Sequence, residues 1–92
     1  MIISFSHKGL KLFAERGDRS KLNADHAPRI RRILAALDHA TSPREMAFPG
    51  WRFHELTGDR AGVYAVTVNK NWRITFIFVG QDAADVDLED YH

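Results

Sequence analysis

An α+β domain, with N-terminal helices packed on one face of a mainly antiparallel β-sheet, is what this sequence predicts. Three observations point to it. Apolar residues recur at helical spacing in the first half, as at Ile30, Ile33, Leu34 and Leu37. From Arg52 onward the period shortens to two, with β-branched and aromatic runs at 63–68 and 72–79. The chain has 92 residues, enough for one core and little more, so both halves are assigned to one domain spanning 1–92.

The elements follow in order. Ile2-Ile3-Ser4-Phe5 is a short strand candidate. The first helix places Leu10, Phe13 and Ala14 on its buried face, and Gly17 supplies the stop. Residues 18–25 are polar and read as a loop that ends in Asp25, the expected cap of the second helix. Pro28 suits the first turn of that helix, where a missing N–H costs little. Its apolar stripe leaves Arg31 and Arg32 pointing away. Ser42-Pro43-Arg44-Glu45 has the form of a capping box and predicts a short helical turn, closed by Phe48-Pro49-Gly50.

The strands come next. Arg52–Leu56 is the first, and residues 57–62, with two glycines, form a turn. Val63–Val68 and Trp72–Val79 flank Asn69-Lys70-Asn71 as a hairpin. Gly80-Gln81-Asp82 turns again, and Ala84–Leu88 is the last strand. Alternation puts Trp72, Ile74, Phe76 and Phe78 on the core side with Phe53. Arg73, Thr75 and Ile77 take the other side, with Arg52 and His54. That second face is either a basic platform for RNA or an ordinary solvated surface.

Composition narrows the chemistry. There is no cysteine, which excludes disulfides, thiolate metal sites and a cysteine nucleophile. No His-x-His or His-Glu-x-x-His spacing occurs, so neither a metal nor another cofactor is expected. The Gly58–Gly62 stretch is a turn and lacks the pattern of a phosphate-cradling loop. No apolar run suggests a signal peptide or membrane span, so a cytoplasmic protein without membrane contact is expected. The net charge is +1, but five acids and no Lys or Arg follow Gln81. Residues 1–80 then carry 13 basic against 7 acidic side chains. Such an excess either attracts a polyanion or is a solvated surface of scattered charges.

The last four residues, Glu89-Asp90-Tyr91-His92, end a small domain on two acids, a phenol and an imidazole. With Leu56-Thr57-Gly58-Asp59-Arg60-Ala61-Gly62, Val66-Thr67-Val68-Asn69 and Asn71-Trp72-Arg73-Ile74-Thr75-Phe76, they resemble the HigB toxins of bacterial toxin–antitoxin pairs, in the RelE/ParE superfamily. Ile3-Ser4-Phe5, Lys8-Gly9-Leu10-Lys11 and Phe13 extend the likeness along the chain. The resemblance implies N-terminal helices on an antiparallel sheet. It implies a ribonuclease that cleaves messenger RNA on the ribosome, held inactive by a HigA-like antitoxin with a helix-turn-helix domain and reaching operator DNA only through that antitoxin. The family's catalytic positions map onto His54, Arg73, Asp90, Tyr91 and His92. Some relatives carry lysine where this chain has Thr57; Arg52 or Arg60 are the residues available to replace that cation, and Lys70 joins them as an expected RNA contact.

The chemistry suits those residues. RNA carries its own nucleophile, the 2′-hydroxyl beside the scissile phosphate. The protein must take that proton, protonate the leaving 5′-oxygen and neutralise the charge that builds on the phosphate. Imidazole, with a reference pKa of about 6.5, serves as acid or base near neutrality. Arginine offers phosphate a rigid fork of donors and stays charged. His54 and His92 are the expected proton-transfer pair, with Arg73 as the stabilising cation. Tyr91 can stack on a base, and Asp90 can orient an imidazole or select a base edge. His7, His26 and His39 are assigned to the surface. Two other readings remain: a ParE-like toxin that poisons gyrase by binding, and a catalytically silent partner in a DNA-bound repressor complex.

Overall fold

The structure, a computed structural model, describes residues 1–90. Helix α1 spans Lys8–Arg16 and stops at Gly17, whose φ of 69° lets its N–H return to the Leu12 and Phe13 carbonyls. Its start was not foreseen. The N-cap is His7, whose Nδ1 accepts the Leu10 N–H at 3.1 Å. A Cβ on Gly9 would lie 2.8 Å from that ring, so the capping imidazole packs where only glycine leaves room. Leu10 and Phe13 are buried as expected, but Ala14 is exposed.

Helix α2 spans Ala27–His39, and Ile30, Ile33, Leu34 and Leu37 are all buried in the core. Asp25 does not cap it. The N-cap is His26, without a side-chain cap, while the Asp25 N–H donates to Asn23 Oδ1 in a turn of its own. After α2 a 3₁₀ turn, Pro43–Met46, keeps half of the predicted capping box. The Glu45 carboxylate reaches back to the Thr41 N–H and to the Thr41 and Ser42 hydroxyls, whereas Ser42 caps nothing.

Four strands follow: β1 His54–Glu55, β2 Tyr64–Thr67, β3 Trp72–Val79 and β4 Asp82–Asp90. They pair in chain order, each antiparallel to the next. The N-terminal segment adds parallel bridges along the far edge of β4, Ile2 to Ala83 and Phe5 to Val86, in place of the full strand expected there. β1 is shorter than expected because Arg52 adopts φ 51°, which takes the chain out of extended geometry. β4 is longer than Ala84–Leu88 and carries a bulge. Between the Thr75–Asp87 and Ile77–Ala84 pairs, Asp85 and Val86 together oppose Phe76, and Asp85 takes φ 51°.

The helices cover one face of this sheet. Val66, Ile74, Phe76, Ala83 and Val86 are fully buried there against Leu10, Ile30, Ile33 and Leu37. A run of rings, Phe53–Tyr64–Phe76–Phe78, passes from the residue before β1 across β2 to β3 with centroids 5.7, 6.1 and 6.0 Å apart. The opposite face is less open than the sequence suggests. Ala65 and Thr75 lie on it, yet are 0% and 3% exposed. The turn that follows β1 contains a short 3₁₀ segment, Gly58–Arg60, and Arg60 reaches a carboxylate on β4 at the far edge. This pair links the turn beyond β1 to the last strand of the sheet. No helix among the described residues is long and apolar enough to cross a membrane.

Candidate active site

Cross-strand pairing fixes which groups share the outer face. One row runs His54–Ala65–Thr75–Asp87 and the next Thr67–Arg73–Glu89. His54 and Arg73 are thus on the same side, two strands and two residues apart, about 12 Å between Cα atoms by ordinary sheet spacing. Arg52, His54, Thr67, Asn69 and Lys70 line an open depression of about 340 Å³ at this end of the sheet. Of the residues singled out from sequence, Arg52, His54 and Lys70 meet there.

His54 is oriented by the backbone. Its Nδ1 lies 2.9 Å from the Arg52 carbonyl, which can only accept, so the neutral ring carries its proton on Nδ1. The lone pair is left on Nε2, where a base would need it. The Arg52 carbonyl is set by the residue's left-handed backbone, a conformation that non-glycine residues avoid outside over-determined sites.

The floor of the depression is tied to α2 by contacts that periodicity could not announce. Arg29 donates from Nε to the Thr67 carbonyl at 3.0 Å and from Nη2 to the Gly50 carbonyl at 2.9 Å. The Thr67 N–H in turn reaches the Trp51 carbonyl. Asn69 closes the hairpin by accepting the N–H groups of Asn71 and Trp72 on Oδ1. Its amide nitrogen lies 2.7 Å from His26 Nε2. His26, assigned to the surface from sequence, is half-buried and braces the hairpin; His7 is likewise a cap.

Arg73 is engaged by Glu89, its direct cross-strand partner. The Arg73 Nε donates at 2.8 Å and Nη2 at 2.6 Å, both to Oε1. Arg60 adds an end-on fork, Nη1 to Oε1 and Nη2 to Oε2, each at 2.9 Å. Glu89 is therefore clasped by two guanidiniums, with Arg60 first and Arg73 second holding its carboxyl below the usual carboxylate range. It stays ionised near neutrality and cannot shuttle protons there. Glu89 is the residue of this site that sequence reading missed.

Asp90 sits differently from its neighbour. It pairs with Trp72, so strand alternation sets it on the helix-packed side, opposite to Arg73 and His54. Tyr91 and His92 lie outside the described residues. Thr57 is exposed at the start of the Gly58–Arg60 turn, with no side-chain cap bond. Among the described residues no three His, Cys, Asp or Glu side chains are grouped to hold a metal ion.

Residues 3–92 match the profile of the HigB-like toxins, described as RelE-like toxins of the type II toxin–antitoxin system HigB. The chain belongs to this family. A Proteus vulgaris protein named Endoribonuclease HigB is 47% identical over 92 residues, covering 100% of both chains. The fold is also that of YafQ from E. coli. A crystal structure of a YafQ point mutant matches with a TM-score of 0.62 at 15% identity, covering 99% of this chain and 94% of that one. A second, of YafQ from strain BL21(DE3), gives 0.58 at 12% with the same coverage. As a type II HigB-like toxin the chain implies a cognate antitoxin as its partner. The expected fold, helices on a mainly antiparallel sheet, is the one observed.

Proposed function

We propose that this HigB-like toxin is an endoribonuclease that cuts messenger RNA on the ribosome, without a metal, by attack of the RNA's own 2′-hydroxyl. The Proteus vulgaris relative bears the name of an endoribonuclease and matches along its whole length. The observation that carries the mechanism is His54: its Nδ1 is committed to the Arg52 carbonyl, so Nε2 offers its lone pair beside a depression lined by Arg52 and Lys70.

In this reading His54 Nε2 removes the 2′-hydroxyl proton. Arg73, on the same face, meets the phosphate oxygens on which charge accumulates. Arg52 and Lys70 hold the flanking backbone as point charges. The leaving 5′-oxygen needs a proton, and His92 is the donor, with Tyr91 stacking on the adjacent base. These two follow Asp90 by one and two residues, a chain reach of at most about 7 Å from the end of β4. Asp90, on the far side of the strand from Arg73, orients that terminal segment rather than touching the phosphate.

So few residues form a shallow site, and the ribosome supplies the substrate's alignment. Inhibition and recruitment to operator DNA belong to a HigA-like helix-turn-helix antitoxin. A direct test dialyses the purified chain against chelator and then adds it to ribosomes carrying a defined transcript in the magnesium they need to stay assembled. The expected result is cleavage of the transcript within its coding frame. An intact transcript, or cleavage that returns only when a transition metal is given back to the dialysed chain, overturns the proposal. A DNA-damage response without transcript cleavage in growing cells would favour gyrase poisoning instead.

A further inference from the structure

We propose that Glu89 is a positioning residue of this site: with Arg60 as second arm, it holds the Arg73 guanidinium ready on the outer face for the substrate's phosphate. The inference rests on the endoribonuclease reading above.

The geometry is specific. Three charged groups from three separate stretches meet at one carboxylate: Arg60 in the turn after β1, Arg73 at the start of β3 and Glu89 near the end of β4. The trio lies outside the hydrophobic core and on the His54 side of the sheet. The side chains of Glu89 and Arg73 are 22% and 17% exposed, and that of Arg60 43%. The Arg60 end is exposed enough that its share of the cluster contributes little to stability. The Arg73–Glu89 pair is mostly buried and keeps that guanidinium in place on the outer face.

Its value lies in preorganisation. A free arginine has many rotamers, and a substrate that had to order it would lose binding free energy at the reacting phosphate. Clasped by Glu89, Arg73 is already ordered. The cluster sits among further carboxylates, Asp59 and Asp87, that act on Arg60, so its two guanidiniums are partly neutralised. It attracts the ground-state phosphate less than two bare arginines would, which limits tight binding that does nothing for the rate. Arg60 gives Glu89 only its two terminal nitrogens, and a guanidinium has five N–H donors.

The arm that carries Arg60 is built to be held. Its turn is flanked by Gly58 at φ 71° and Gly62 at φ 93°, values that few other residues adopt. The Gly62 N–H is fixed on Glu55 Oε2 at 3.0 Å, and Arg60 fixes the middle on Glu89. Ala65 and Thr75, on the same face of the sheet, are 0% and 3% exposed.

The test compares wild type, Glu89→Gln and Arg60→Gln, the second being the more exposed end and the safer variant for folding. The readouts are transcript cleavage on programmed ribosomes and the hydrogen exchange of the arginine Nε–H groups by nuclear magnetic resonance. In Glu89→Gln the Arg73 Nε–H should lose protection, and kcat should fall at least tenfold while KM stays level or drops. Arg60→Gln should lower kcat less, with the Arg73 signal still protected. An unchanged kcat in Glu89→Gln overturns the proposal. So does a loss that disappears at a temperature where both proteins are fully folded, since that marks a structural role only. If wild type itself cuts nothing, the nuclease reading fails instead, and the exchange data still report on the clasp.

Discussion

The two faces of the sheet are built by different physics. The buried part of the helix-packed face is apolar, and its fully buried residues come from both helices and from β2, β3 and β4. The outer face buries two small side chains, Ala65 and Thr75, and carries the Arg60–Glu89 and Arg73–Glu89 ion pairs. Each side also has its own concavity. The larger, of about 530 Å³, lies between α1, α2 and the N-terminal segment, where Arg31 sits 5.3 Å above the Phe13 ring. The smaller holds His54, Arg52 and Lys70. Size does not mark the chemistry here. Stability and reactivity are assigned to opposite sides of a sheet one residue thick, so each can be perturbed without the other.

That separation can be broken most forcefully on the reactive side. His54→Gln removes the proposed base from an exposed position with no buried contact to lose. Cleavage on programmed ribosomes should fall by about 10²–10⁴-fold. Thermal unfolding should shift little, because exposed substitutions change stability by about 0.5 kcal/mol or less. A variant that unfolds early would mean that the two faces are not independent.

The converse substitution is Phe76→Ala, at the centre of the ring ladder and 0% exposed. It should cost about 3–5 kcal/mol in chemical denaturation. The fraction that remains folded should cut RNA at the wild-type rate per molecule. A specific loss of activity in that fraction would show that the core reaches through to the site.

A gentler comparison uses pH. The Glu89 carboxyl is held below its ordinary value of 4.5 chiefly by Arg60 and then by Arg73. Its folded-state pKa is depressed, so its stabilisation is complete above about 4.5 and is lost as pH falls through the lower, folded value. Glu45 and Asp18 are lowered as well, through hydrogen bonds from Thr41 and Ser20, but both are fully exposed. Melting temperature should therefore decline below pH 4.5, and the decline should be shallower in Glu89→Gln. The helix-packed face adds no such dependence, since its buried residues carry no titratable group. An identical acid limb in both proteins would remove Glu89 from the account of stability.

Much of the helix-packed face was legible because periodicity records it directly. Ile30, Ile33, Leu34 and Leu37 share one helical side, and Ile74 and Phe76 alternate along a strand that begins and ends where expected. His54 and Arg73 were legible as members of one face by the same alternation. The clasp was not. Arg60 and Glu89 are 29 residues apart, and nothing periodic links them. Nor could sequence alone separate Glu89 from Asp90. The bulge at Asp85 and Val86 inserts one residue into β4, and a one-residue change reverses every side chain beyond it. Without it Leu88 would stand opposite Arg73 and Glu89 would face the helices. The conformation that fixes this register is held by a long-range contact, the Asp85 N–H donating to the Ser4 hydroxyl at 2.8 Å. The cap at His7 escaped notice for a similar reason: histidine is an unusual N-cap, and Gly9 makes room for it.

The most direct trial of the mechanism replaces a single oxygen in the substrate. Ribosomes are programmed with two transcripts, identical except that one lacks the 2′-hydroxyl at the nucleotide the toxin cuts. Cleavage by base attack of that hydroxyl predicts that the all-ribose transcript is cut, leaving a 5′-hydroxyl on the downstream fragment, and that the deoxy transcript stays whole at that position. Equal cleavage of both would contradict the account, because the nucleophile would then come from water or from the protein.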